Sequence, residues 1–84
     1  MSSELIEEGK GLTVKEIDVM GIKKQRYEGV EFERWASKTA LFFENQSEST
    51  VKDKVLHRYA KLNKDNSKEF YELALGSLQA IEEQ

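Results

Sequence analysis

The chain has no cysteine and no proline, and only one histidine and one tryptophan among its 84 residues. Without cysteine there are no disulfides, no thiolate metal sites and no cysteine nucleophile, a composition compatible with a reducing compartment. The absence of proline favours helices joined by loops that are not stiffened by pyrrolidine rings. No apolar run approaches the length of a membrane span, and the start, MSSELIEEGK, is acidic and lacks the apolar stretch of a signal peptide. These features predict a cytoplasmic protein with no membrane partner. Basic charge is not in excess either. The net charge of −3 predicts no general attraction to nucleic acid or anionic lipid.

The motifs of common site chemistry are missing as well. The glycines do not spell G-x-G-x-x-G after a strand, and Gly9-Lys10-Gly11 alone carries almost no specificity. H-E-x-x-H, the calcium-loop pattern D-x-[DN]-x-[DN]-G and the G-x-S-x-G elbow do not occur. Asp53 lies four residues before His57, a spacing that lets the two touch on one helix face. Such a pair is half of a hydrolytic arrangement whose nucleophile is missing, so a surface pair is the expected role. The sequence therefore predicts no catalytic, metal or cofactor residues and a chain that is not an enzyme.

What is present is aromatic and periodic. The stretch VEFERWASKTALFFENQ (residues 30–46) holds the only Trp and three of the four Phe. On a helix, Phe32, Trp35, Ala36, Thr39, Phe42 and Phe43 form one stripe, with Glu31, Glu33, Ser37 and Glu44 opposite. Large rings carry the greatest hydrophobic drive per residue, so this helix is expected to be the spine of the core. Hydrophobic residues make up 38% and charged residues 35% of the chain, the balance of a small bundle of helices with charged outer faces. Eighty-four residues allow one domain at most, with a modest core.

Ser2 or Ser3 caps a first helix running to about Gly11, with Glu4, Glu7 and Glu8 near the positive end of its dipole. Residues 12–29 read as a long irregular connection holding one or two helical turns, pinned to the core by Ile17, Ile22 and Tyr27. Thr13 with Glu16 resembles a capping box, which makes a short helix at 14–20 the main rival. A lone strand ranks lower for want of a pairing partner. The second firm helix is Val30–Asn45. Ser49 or Thr50 caps a third, about 50–62, with Val51, Val55, Tyr59 and Leu62 along its apolar side. Asn66 followed by Glu69 repeats the capping-box logic and opens a fourth. Its inner face is Phe70, Ala74, Ser77, Leu78 and Ile81. Tyr71, Leu75 and Leu73 make it apolar around much of its girth.

The fold class expected is all-α: a compact three- to four-helix bundle in which consecutive helices are antiparallel neighbours. Its core is expected to be Phe32, Trp35, Phe42, Phe43, Val55, Tyr59, Leu62, Phe70, Ala74 and Leu78. Acids at Glu82 and Glu83 oppose the negative end of the last helix's dipole. This leads to the expectation that residues 1–84 are one helical domain at the front of a longer protein. A domain this small does not bury every side of two helices alone. Val30, Leu41, Tyr71, Leu73 and Leu75 are therefore candidate interface residues for a protein partner or self-association. The alternative is nucleic-acid contact through Lys54, Arg58 and Lys61, a basic stripe on the third helix. The acidic fourth helix and overall charge rank nucleic acid below protein as a partner.

The segments LIEEGK, EFERWASKTALFF and FYELALGSLQAIEE resemble small helical modules at the front of uncharacterised bacterial and phage-associated proteins. The likeness covers most of the chain. It implies a helical fold and a bacterial cytosolic setting, and brings no activity and no site residues.

Overall fold

The computed structural model describes residues 2–83. Among them the order is α1 (Ser2–Lys10), β1 (Lys15–Val19), β2 (Ile22–Arg26), α2 (Val30–Glu44), α3 (Thr50–Ala60) and α4 (Ser67–Glu82). The molecule is a mostly helical globule carrying one small β-hairpin. Each helix packs on the next, and α1 closes the circuit by packing on α4.

The aromatic stripe of α2 is the spine of the core. Phe32, Trp35, Ala36, Thr39 and Phe43 are buried, with Val55 of α3 and Phe70, Ala74 and Leu78 of α4 opposite. The Phe70 ring meets Phe32 and Trp35 edge-on, at centroid separations of 6.4 and 6.3 Å. That is the arrangement the ring quadrupoles favour. Three residues expected in the core, Phe42, Tyr59 and Leu62, are half-buried at its margin instead. Val51, in the first turn of α3, is exposed.

α1 contributes more than its nine residues foretell. Leu5, Ile6 and Gly9 are buried. The Trp35 indole nitrogen donates to the Leu5 carbonyl at 2.8 Å, which satisfies the one polar atom of a wholly enclosed ring. A Cβ on Gly9 would stand 2.9 Å from Trp35 Cζ2, so the indole lies flush on the helix backbone. The Tyr71 hydroxyl donates to the Gly9 carbonyl at 2.9 Å, and Lys38 Nζ reaches Glu8 Oε1 at 3.1 Å. Ser2 Oγ donates to the Glu82 carboxylate at the far end of α4. Ser2 meets Glu82 and Gly9 meets Tyr71, opposite order along the two helices, so α1 is antiparallel to α4. Glu4 and Leu5 face Leu41 and Asn45 while Gly11 and Leu12 face Glu31 and Arg34, so α1 is antiparallel to α2 as well.

The connection at 12–29 is a β-hairpin rather than helical turns, and no helix forms at 14–20. The partner that a strand at 15–19 needs is the very next segment. Lys15↔Arg26, Glu16↔Gln25, Ile17↔Lys24, Asp18↔Lys23 and Val19↔Ile22 pair antiparallel. Ile17 and Val19 alternating with Glu16 and Asp18 is a period of two, which outweighs the Thr13–Glu16 box. Met20 and Gly21 form the two-residue loop with φ of 55° and 82°. Positive φ at both positions is the type I′ geometry that matches strand twist. The Gly21 amide donates to Asp18 Oδ1 at 3.0 Å. Tyr27 anchors the hairpin's root by stacking on Tyr71 at 4.1 Å, and Ile17 is half-buried. Ile22, expected to pin this segment, is 63% exposed.

Helix ends follow side-chain chemistry in part. Ser49 caps α3 by accepting from the Lys52 amide at 3.1 Å. Asn66 does not cap α4. Its side chain turns back to accept from the Asn63 amide at 2.8 Å and to donate to the Lys61 carbonyl at 2.9 Å, which closes the end of α3 instead. Buried Ser67 accepts from the Tyr27 amide at 2.9 Å and donates to the Lys64 carbonyl at 3.2 Å. One hydroxyl thus ties the hairpin's exit to the α3–α4 turn.

Candidate interaction surface

The five apolar residues singled out from the sequence separate into two groups. Val30 and Leu41 stand open, at 74% and 59% exposure. They lie eleven positions apart on α2, three helical turns, and so share one face. Exposed Arg34 and Ser37 occupy that face between them, so the outer side of α2 is apolar only at its two ends. Tyr71, Leu73 and Leu75 are half-buried and packed against the core. α4 is apolar around its girth because α1 lies along one side of it and α3 along another. An isolated reading of α4 could not show this, since α1 is short and its buried glycine carries no hydrophobic signal.

Each open end of α2 borders a concavity. The larger, about 910 Å³, lies between the start of α2 and the α3–α4 turn, with Val30 at its edge and Tyr27, Phe32, Tyr59 and Leu62 within. The smaller, about 410 Å³, runs between α1 and the end of α2. Leu41 and half-buried Phe42 form its apolar part, and Glu4 and Glu8 its acidic edge. Lys38 pairs with Glu8 within it, at 3.1 Å.

Sequence reasoning missed the hairpin tip. Val19, Met20 and Ile22 are exposed at 44%, 95% and 63%, half of the exposed large hydrophobics among the described residues grouped in one turn. The signal was there: a bulky apolar side chain beside a glycine in a two-residue loop, where asparagine or aspartate is usual. Met20 also holds a positive φ, which costs a non-glycine residue free energy.

Of the candidate basic stripe, Lys54, Arg58 and Lys61 are all exposed on α3. Arg58 Nη1 lies 3.6 Å from Glu69 Oε2 of α4, so the middle charge is partly neutralised. His57 is exposed, and among the described residues no hydrogen bond or ion pair joins it to Asp53. The Tyr27 phenol is pushed up to about 12, first by burial and then by the neighbouring Tyr71 and Glu72. No group of three or more His, Asp or Glu side chains among the described residues could hold a metal ion. No described helix is long and apolar enough to cross a membrane. No protein-family model, curated protein or solved structure matches the chain.

Proposed function

We propose that the chain is a non-enzymatic protein–protein interaction or self-association module of the bacterial cytoplasm. The observation that supports this reading is the open placement of Val30 and Leu41 on a helix whose Phe32, Trp35 and Phe43 are covered. Exposed aliphatic side chains at the edge of concavities are what a partner's apolar groups cover on binding. Leu73 and Leu75 are weaker contributors, since they already pack on the core.

The test is sedimentation of the full chain over a wide concentration range, with Leu41→Glu and Val30→Glu as variants. Both positions are exposed, so the thermal melt should not change. Association present in the native chain and lost in Leu41→Glu or Val30→Glu supports the reading. A native chain that stays monomeric and captures no protein partner in a pull-down counts against it.

Nucleic-acid contact through Lys54, Arg58 and Lys61 ranks second, favoured by the exposure of all three. It requires binding to duplex or single strands that weakens steeply with salt. No binding at low salt excludes it.

A further inference from the structure

We infer that the occupant of the α1–α2 groove is the hairpin tip of a second copy of this chain, exchanged reciprocally in a closed dimer. This rests on the reading of the chain as an interaction module, and it names the partner and the contact.

The hairpin has the chemistry of a plug. Directly paired residues of an antiparallel ribbon share a face, so Lys15, Arg26, Ile17, Lys24, Val19 and Ile22 lie on one side. That side is aliphatic toward the tip and cationic behind it. Met20 stands beyond it, almost wholly exposed. A two-stranded ribbon is marginal by itself in water. This one also carries a bulky side chain in a left-handed loop position, a conformation retained at a cost in free energy. Burial of the tip offsets that cost.

The groove has the complementary chemistry. Leu41 and Phe42 offer apolar surface, and Glu4 and Glu8 stand at its edge. Glu8 is already engaged by Lys38. Among the described residues, neither Glu4 nor Lys24 has an ion-pair partner. Lys15 and Arg26 already pair with Glu28, at 3.8 and 3.4 Å, so the complementarity is that of an aliphatic tip with Lys24 behind it and a leucine–phenylalanine floor with Glu4 at its edge.

Position excludes the contact within one chain. The hairpin is rooted where the end of α1 meets the start of α2, around Leu12, Tyr27 and Phe32. The groove lies toward the other end of α2, at Leu41, Phe42 and Asn45. The molecule's long dimension of 44 Å is close to a 15-residue helix of about 22 Å plus a five-residue ribbon of about 17 Å. Two copies side by side and antiparallel set each hairpin against the other's groove, and a two-fold axis makes both contacts at once.

The experiment uses the absence of native cysteine. Chains carrying Met20→Cys and Leu41→Cys are mixed under mild oxidation. The expected result is a disulfide between the two different chains, with little between identical ones. Sedimentation of Met20→Asn then separates binding from folding. Asn-Gly is the preferred type I′ pair, so the melt should hold or rise while the dimer weakens at least about tenfold. Lys24→Glu and Glu4→Lys should each weaken the dimer, and the double variant should recover it.

Association lost in Leu41→Glu but untouched by Met20→Asn would leave the module reading standing and overturn the hairpin as the occupant. A monomer at millimolar concentration overturns the exchange and the self-association half of the module reading. Tip-to-tip disulfides in Met20→Cys alone overturn the exchange. So does a monomer whose hairpin instead binds phosphatidylserine vesicles or duplex DNA, with that binding lost in Lys24→Glu.

Discussion

The helical body and the hairpin are built on opposite terms. In the body, rings are enclosed and their polar atoms are satisfied, as Trp35 shows with its bond to the Leu5 carbonyl. In the hairpin, none of the ten strand residues is buried, and the register rests on backbone pairing and one tight turn. The lesson is that the same chain spends its apolar residues in two ways. Those at helical spacing hold the fold together. Those at the tip stand open to solvent and add little to it.

The sharpest way to test this contrast is Trp35→Ala. Loss of the central ring should cost about 3–5 kcal/mol, enough to unfold a domain this small. Circular dichroism under urea should show no cooperative transition, and a nearly native melt would dissolve the distinction. Gly9→Ala comes next. The added methyl meets an enclosed indole that is hydrogen-bonded in place and unable to yield, so a loss of about 1–3 kcal/mol is expected from overpacking. If alanine instead stabilised the helix, as its propensity alone would suggest, the indole would not be packed as described.

Ser67→Ala tests the joint between the two regions. It leaves the Tyr27 amide without its acceptor and should cost about 1–2 kcal/mol in a urea titration. Hydrogen exchange should then speed up at the hairpin's root more than in α2. Tyr27 gives a smaller, pH-dependent effect. Its folded value of about 12 lies above the ordinary 10.0, so the folded state holds this proton more tightly. The stability it contributes is whole below pH 10 and is lost as pH rises through 12. Tyr27→Phe should remove that part of the alkaline decline, read as the difference between the two chains' urea midpoints across this range. The smallest effect is expected at Ile22→Thr, a β-compatible change at an exposed site, within about 0.5 kcal/mol. A large loss there would mean the hairpin is part of the core after all.

The spine of α2, the inner faces of α3 and α4 and the Ser49 cap were legible because each is a local pattern: helical spacing, or a side chain within reach of its own backbone. The hairpin was misread because capping-box and helix signals at Thr13 and Glu16 competed with a strand signal of only five residues. A strand is recognised only with its partner, and Ile22–Arg26 is nearly all polar. Asn66 failed as a cap for a related reason. An asparagine side chain reaches the turn before it as easily as the helix after it, and the choice depends on where α3 ends.

The amino-acid order alone determined that rings at a period of 3.6 would line one helix and turn inward, because each residue's exposure there follows from its angle around a single axis. It also determined where polar turns would break the chain. Only the assembled structure decided which half-apolar sides were covered. That depends on α1 packing between α2 and α4 with a glycine against the indole of α2, a contact between residues 26 positions apart that neither residue signals by itself. It likewise decided that Met20 and Leu41 would be left open at separated places, since solvent exposure belongs to the neighbours a side chain meets and not to the side chain.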